Sequence, residues 1–289
     1  MKVGIFGSDY QSDKQAQIKQ VFEQLQKLDM EILVEKNFYR YLSTHLNYKP
    51  PVLALIDKND FHVDIAISIG GDGTFLRTAA LVGSKAIPIL GINTGRLGFL
   101  ADVGPKEIED TLNEIFRNHY RIEDRTLLHI KIGLDTKIQS YALNEIAIQK
   151  RDTSSMIRIN AFINDEYLTT YWGDGLIVAT PTGSTAYSIS VNGPIIVPQA
   201  KTIVLSPIAP HSLNVRPLII PEDSRLTLEV ESRTTNFLIA VDGRSQTFPS
   251  DTKFEIEKAN FPVKIIKRYN HTFYKTLRDK LMWGADSRI

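Results

Sequence analysis

Gly70-Gly71-Asp72-Gly73-Thr74 is the segment of this 289-residue chain best equipped for chemistry. It follows the apolar run Val63-Asp64-Ile65-Ala66-Ile67-Ser68-Ile69 and precedes a helical pattern that begins near Thr74. Ligands on parallel sheets collect at such strand ends. Glycines let the backbone approach a phosphate closely, and the first N–H groups of the following helix are free to bind an anion. Asp72 stands out in that company. Its carboxylate repels phosphate unless it meets a hydroxyl or a metal, so its natural role is a base or a metal ligand. The same residues also fit a plain strand-to-helix turn with Asp72 as the helix cap. The segment alone leaves both readings open.

Other stretches carry polar groups at useful spacing. Asn144-Glu145 follows the apolar edge Tyr141-Ala142-Leu143 and sets an amide beside a carboxylate, a pair suited to a ribose diol or an adenine edge. A surface turn is the alternative. Thr180, Thr182, Ser184, Thr185, Tyr187, Ser188 and Ser190 crowd around Pro181 and Gly183. Neutral donors with one aromatic face suit a dinucleotide, or form a Ser/Thr-rich turn. Asp174, ahead of Gly175, orients that loop, contacts a substrate amide, or is an exposed turn carboxylate. No G-x-x-x-x-G-K-[ST] occurs, the first strand ends Gly4-x-x-Gly7 instead of G-x-G-x-x-G, and no H-E-x-x-H is present. P-loop, dehydrogenase-type and zinc-protease chemistry therefore have no support.

The elements that position these residues fall into two halves. Residues 2–7, 31–35, 63–69 and 86–92 read as strands, separated by helical spacing such as Ile18, Val21, Phe22, Leu25 and Leu28. Pro105 opens a further helix with Ile108, Leu112, Ile115 and Phe116 on one face. This alternation predicts a parallel sheet with helices on both sides. Beyond about residue 125 the period switches to two, as in Leu128, Ile130, Ile132 and Leu134, and again at 157–163, 226–230 and 263–266. Asn164-Asp165 and Asp242-Gly243 read as turn tips. The tail places Phe273, Leu277 and Leu281 at i, i+4 and i+8, one amphipathic helix that Gly284 is suited to cap. The expected organisation is an α/β domain over 1–120, a β-rich, sandwich-like domain over 121–269, and a helix over 270–289 that returns to the first domain.

Charge is balanced, with 34 Lys+Arg against 33 Asp+Glu, so no global basic field points to nucleic acid. Cysteine is absent, which excludes disulfides, thiolate metal sites and Cys nucleophiles. The short apolar start is no signal peptide, and no uncharged run approaches a membrane helix of about 20 residues. A soluble cytoplasmic protein without a membrane partner is expected.

The Gly70–Thr74 turn resembles the diphosphate-binding turn of NAD kinases, of diacylglycerol and sphingosine lipid kinases, and of phosphofructokinases. Further segments choose among them. Asn93-Thr94-Gly95-Arg96-Leu97-Gly98-Phe99-Leu100, Asn144-Glu145, Asp174-Gly175-Leu176-Ile177, Thr180 to Ser188, Pro210-His211-Ser212-Leu213 with Arg216-Pro217, and Leu277-Arg278-x-Lys280-Leu281-x-Trp283-Gly284 all resemble bacterial-type NAD kinases. The resemblance runs from the first strand to the last helix. It implies a Rossmann-like first domain and transfer of the terminal phosphate of ATP to the 2′-hydroxyl of the adenosine ribose of NAD. It implies that Asp72 takes the hydroxyl proton and that Gly71 and Gly73 line the phosphate path. Asn144, Glu145, Asp174, Thr185, Ala186, Tyr187, Ser188, Ile189 and Ser190 would hold the dinucleotide, with Ala209 contacting it through its backbone. Arg77, Ser155 and Gln246 are further transfers, and Trp172 stands where the family often carries a basic residue. A divalent cation, Mg²⁺, bound with the donor, and a homo-oligomer, dimer or tetramer, complete what the resemblance implies.

Overall fold

The computed structural model describes residues 1–9, 14–57, 60–95, 98–133, 140–151, 155–232 and 235–284. Arg96, Leu97 and Leu134 lie outside them. The chain forms two compact units, Met1–Asp124 together with the chain from Val263 onward, and Arg125–Pro262.

In the first unit the order is β1 (Lys2–Gly7), α1 (Gln15–Lys27), β2 (Glu31–Glu35), α2 (Lys36–Thr44), β3 (Ala54–Ile56), β4 (Ile65–Ile69), α3 (Asp72–Val82), β5 (Ile89–Ile92), α4 (Ile108–Phe116) and β6 (Arg121–Arg125). In the second it is β7 (Leu128–Ile132), β8 (Tyr141–Ala142), β9 (Glu145–Lys150), β10 (Ile157–Ile163), β11 (Glu166–Gly173), β12 (Gly175–Ala179), α5 (Tyr187–Ser190), β13 (Thr202–Ile208), β14 (Leu218–Pro221), β15 (Leu226–Ser232), β16 (Asn236–Val241), β17 (Arg244–Pro249) and β18 (Lys253–Lys258). The chain then adds β19 (Val263–Lys267) and α6 (Phe273–Leu281) to the first unit.

The first unit is built on one sheet of order β3-β2-β1-β4-β5-β19-β6, parallel from β3 through β19. All five residues of β4 are buried, as expected of a strand covered on both faces. Val3, Ile5, Ile67 and Ile69 of the strands pack with Ile18 and Phe22 of α1, Phe38 of α2 and Leu112 of α4. Placing β19 here corrects the assignment of 263–266 to the β-rich half. Two-residue alternation marks a strand but does not name its sheet. Ile265, Ile266 and Lys267 are buried in succession, the pattern of a strand inside a two-sided sheet. Where Gly284 was expected to cap α6, Met282 does so in a left-handed conformation (φ 52°). Leu281, expected on the inner stripe, is 36% exposed, whereas Leu277 is buried.

The second unit is two six-stranded sheets, β11-β10-β15-β18-β7-β8 and β14-β13-β12-β9-β16-β17. Their strands pair antiparallel around one core that includes Ile130, Ile148, Ile159, Val178, Leu228, Phe237 and Phe254. Asn164-Asp165 (φ 49° and 69°) and Asp242-Gly243 (φ 47° and 78°) are the hairpin tips between β10 and β11 and between β16 and β17. A second apolar layer covers the other face of the β9-containing sheet. There Ala147, Ile177, Ala179 and Val204 meet Ile196, Tyr187 and Val191, so the short helix α5 lies on that face. Among the described residues no helix is long and apolar enough to cross a membrane.

Candidate active site

The buried strand β4 ends at Ile69, and Gly70, with φ 150°, turns the chain into α3. Gly71 is the N-cap residue and Asp72 the first residue of the helix. Among the described residues, a Cβ added to Gly71 or Gly73 would meet nothing within 4 Å, so they leave space beside the turn. Asp72 is not the helix cap, because no side chain caps α3. Its carboxylate reaches across to the loop after β5. Oδ2 accepts the N–H of Phe99 (2.9 Å), and Oδ1 accepts those of Leu100 and Ala101 (3.0 Å each). Lys280 of α6 approaches Oδ2 at 3.4 Å. Gly98 is required beside it, since a Cβ there would stand 2.0 Å from Asp72 Oδ1. Arg77 is not a free surface group, because its guanidinium donates to the carbonyl of Gly7 at the end of β1.

The loop that holds Asp72 is itself clamped. Asn93 and Val103 pair across its neck, and the Asn93 side chain donates to the Ala101 carbonyl at 3.2 Å. Asp102 is buried against Lys267 Nζ (2.5 Å) and His271 Nδ1 (3.1 Å). Burial pushes Asp102 up, but the Lys267 charge and the His271 hydrogen bond outweigh it and hold the carboxyl below its ordinary range.

In the second unit Asn144 and Glu145 are buried at the start of β9, which overturns the surface-turn reading. Asp242 fixes them. Its carboxylate accepts the N–H groups of Leu143 (2.8 Å), Asn144 (2.8 Å) and Glu145 (3.2 Å). The Glu145 carboxylate accepts the Tyr187 N–H, while its Oε2 has no hydrogen-bond partner among the described residues. Burial, reinforced by the Asp242 charge, pushes Glu145 up to about 7. The Tyr187 hydroxyl accepts from Gln149 Nε2 at 2.8 Å. This end of the sheet thus gathers the start of β9, the end of β12 and the end of β16, with α5 over its face.

Several expected residues sit apart or are engaged elsewhere. The Ser188 hydroxyl is buried against that of Ser206 (2.9 Å), and Ser184 bridges Pro181 and Ile196 within the loop. Thr185, Ala186 and Ile189 are partly exposed and Ser190 exposed on the same segment. Asp174, paired with Lys150 at 2.7 Å, and Ala209 (φ 42°) lie at the opposite end of the sheet from Glu145. Gln246 pairs with Ile239 and shares its face, the one turned away from Tyr187. Ser155, partly exposed, precedes β10. Trp172 carries the Arg158 guanidinium 4.6 Å above its ring, so a cation stands there after all, from the paired strand. Sequence reasoning missed Asp242, read only as a turn tip, and Gln149, Gly98 and Lys280. No local pattern singled out any of the four, since each acts through a partner far away in the chain.

A family model described as the ATP-NAD kinase N-terminal domain matches residues 3–120, and one described as the ATP-NAD kinase C-terminal domain matches residues 143–268. An NAD kinase of Bacteroides fragilis is 55% identical over the whole of both chains, and one of Porphyromonas gingivalis is 47% identical over 99% of each. The chain belongs to the NAD kinase family. It is therefore an enzyme, a kinase that phosphorylates NAD with ATP. Among solved structures, an NAD kinase from Archaeoglobus fulgidus in complex with ATP is similar with a TM-score of 0.78 and 25% identity, over 98% of this chain and 99% of that one. A yeast NADH kinase complexed with NADH shares the fold with a TM-score of 0.89 at 24% identity, over 100% of this chain and 89% of that one. The NAD kinase fold expected for the two domains is thus present.

Proposed function

We propose that the chain carries out this transfer with Asp72 as the base. The 2′-hydroxyl of the adenosine ribose gives its proton to the Asp72 carboxylate. Its oxygen bonds to the γ-phosphorus of ATP, the bond from that phosphorus to the β,γ-bridging oxygen breaks, and NADP and ADP leave. Such reactions depend on positioning and on charge neutralisation. Gly71 and Gly73, with open space beside them, receive the donor phosphates at the start of α3. Asn144, Glu145 and the segment Thr185 to Ser190 hold the dinucleotide. The free Glu145 Oε2 accepts from a ribose diol, and the Tyr187 ring offers a stacking face. Asp174 belongs with these dinucleotide contacts, Ala209 meets the dinucleotide through its backbone, and Arg77, Ser155 and Gln246 complete the same reading.

The observation that carries this reading is the Asp72 carboxylate, held by three backbone N–H groups beside an open glycine turn. A divalent cation, Mg²⁺, neutralises donor phosphates in such chemistry. Among the described residues no three His, Asp or Glu side chains group to cage one. The cation would arrive on the triphosphate. A homo-oligomeric state and a cytoplasmic location remain part of the proposal. Incubation with NAD and ATP, read by a dehydrogenase that responds only to NADP, tests the whole reading. No NADP formed would overturn it.

A further inference from the structure

Lys280 occupies an unusual place. Phe273, Thr276, Leu277 and Lys280 follow one another at helical spacing on α6, and the second and third of them are buried. Lys280 follows one turn further on, with its side chain 32% exposed. Its stem lies along apolar surface, with Nζ 4.5 Å above the Phe99 ring, and Phe99 in turn stands 6.0 Å from Phe273. Its charge points at Asp72 Oδ2, 3.4 Å away.

The acceptor capacity of Asp72 makes the pairing informative. An ionised carboxylate offers about four lone-pair sites. Phe99, Leu100, Ala101 and Lys280 supply four donors. A substrate hydroxyl can reach the carboxylate only if one of them leaves. Three are backbone N–H groups at 2.9–3.0 Å in a clamped loop. The fourth is the longest contact, and it sits at the end of a flexible side chain. A triphosphate entering beside Gly71 and Gly73 brings a stronger anion for that ammonium.

We propose that Lys280 is a catalytic residue of the transfer, exchanging Asp72 for the donor phosphate when the triphosphate binds. This assignment rests on the reading of Asp72 as the base. The exchange vacates one Oδ2 site for the ribose hydroxyl and puts a cation on the oxygen that gains charge as the γ-phosphorus leaves it. Lys280 keeps its protons throughout, and the hydroxyl proton goes to Asp72. The chain thereby obtains from its last helix the lysine that a P-loop would supply from its first turn.

The test compares Lys280→Met, Lys280→Arg and Asp72→Asn in turnover, in the Michaelis constants for both substrates, in NAD affinity measured without donor, and in melting. Lys280→Met should lower kcat/KM for ATP by about 10²–10³-fold, leave NAD affinity and melting unchanged, and be largely rescued by Arg. Near-normal turnover in Lys280→Met with an inactive Asp72→Asn would overturn the lysine assignment alone. Near-normal turnover in both would overturn the base, and the lysine with it. Weakened NAD binding in step with lost turnover would make Lys280 a structural residue. Lys280→Ala assayed with added ethylammonium gives a second route if Lys280→Met melts early. Recovery of turnover at unchanged melting supports the assignment, and no recovery overturns it.

Discussion

The Asp242 carboxylate accepts the backbone N–H of Glu145 at 3.2 Å while its charge opposes that of the Glu145 side chain. One residue thus positions Glu145 and makes its ionisation harder. Burial of the pair, with this repulsion, raises Glu145 from 4.5 to about 7. The folded state therefore holds a proton that the unfolded chain has already lost. Stability from that proton is complete below about pH 4.5 and disappears as the pH climbs to about 7. Asp242 is raised by burial too and adds a contribution of the same sign. NAD affinity should run the other way, rising through about pH 7 as the carboxylate becomes a better acceptor. Glu145→Gln should flatten the affinity profile and remove part of the slope in melting temperature against pH. An unchanged affinity profile in the mutant would assign the dependence to another group.

Asp242→Ala should damage the same corner, and it also removes the charge that opposes Glu145. It strips the acceptor from three backbone N–H groups. Each buried donor left unpaired costs about 1–3 kcal/mol. A clearly lower denaturation midpoint and a raised NAD Michaelis constant are expected, with the ATP constant little changed. A mutant that melts as the parent does would mean that water replaces the carboxylate.

Asp72→Asn should reduce turnover by about 10²–10⁴-fold, the usual contribution of a positioned base. Its amide also turns a donor toward N–H groups and Lys280, so melting should fall as well. Activity and stability are separated by a second pair of variants. Gly98→Ala pushes a methyl against Asp72 Oδ1 and should lose turnover without altering the carboxylate chemically. Gly71→Ala meets no atom of the described residues within 4 Å, so it should fold normally and raise the ATP Michaelis constant. Unimpaired kinetics in Gly71→Ala would move the donor phosphates away from this turn.

Tyr187→Ala should raise the Michaelis constant for NAD and leave that for ATP near its original value. Tyr187→Phe keeps the ring but loses the bond from Gln149, so its effect should be smaller. A larger effect of Phe than of Ala would contradict stacking as the role of the ring.

Removing the chain after Asn270 deletes His271, Leu277 and Lys280. The first hydrogen-bonds buried Asp102, and the second is itself buried. Burial of one leucine is worth about 1.5–3 kcal/mol. Thermal unfolding should shift down measurably, and turnover should fall further than the loss of folded protein explains.

What could be read in the sequence was local. The Gly70–Thr74 turn, the hairpin tips and the switch of period depend on neighbours within a few residues, and each stands where expected. The partners of Asp72 lie 27 to 29 and 208 residues away, and nothing in a local pattern joins them. Asp242 is the same case. As half of an Asp-Gly pair it announced a turn, while its hold on residues 143–145 arises only because β16 ends beside the start of β9. Strand β19 was legible as a strand and not as a member of the parallel sheet, since its alternation is silent about its neighbours.

The place of β19 between β5 and β6 also orders events during synthesis. A ribosome that has released residues 1–125 has delivered β5 and β6 but not the strand that joins them. It must next produce the rest of Arg125–Pro262, an uninterrupted stretch able to complete its own two sheets, before that strand emerges. Multidomain chains usually finish their N-terminal part first. Here the inserted half can mature while the half that began earlier waits, with unsatisfied strand edges, for the residues from Val263 onward. Chaperone dependence and premature-termination damage should therefore concentrate on the unit that the insertion divides.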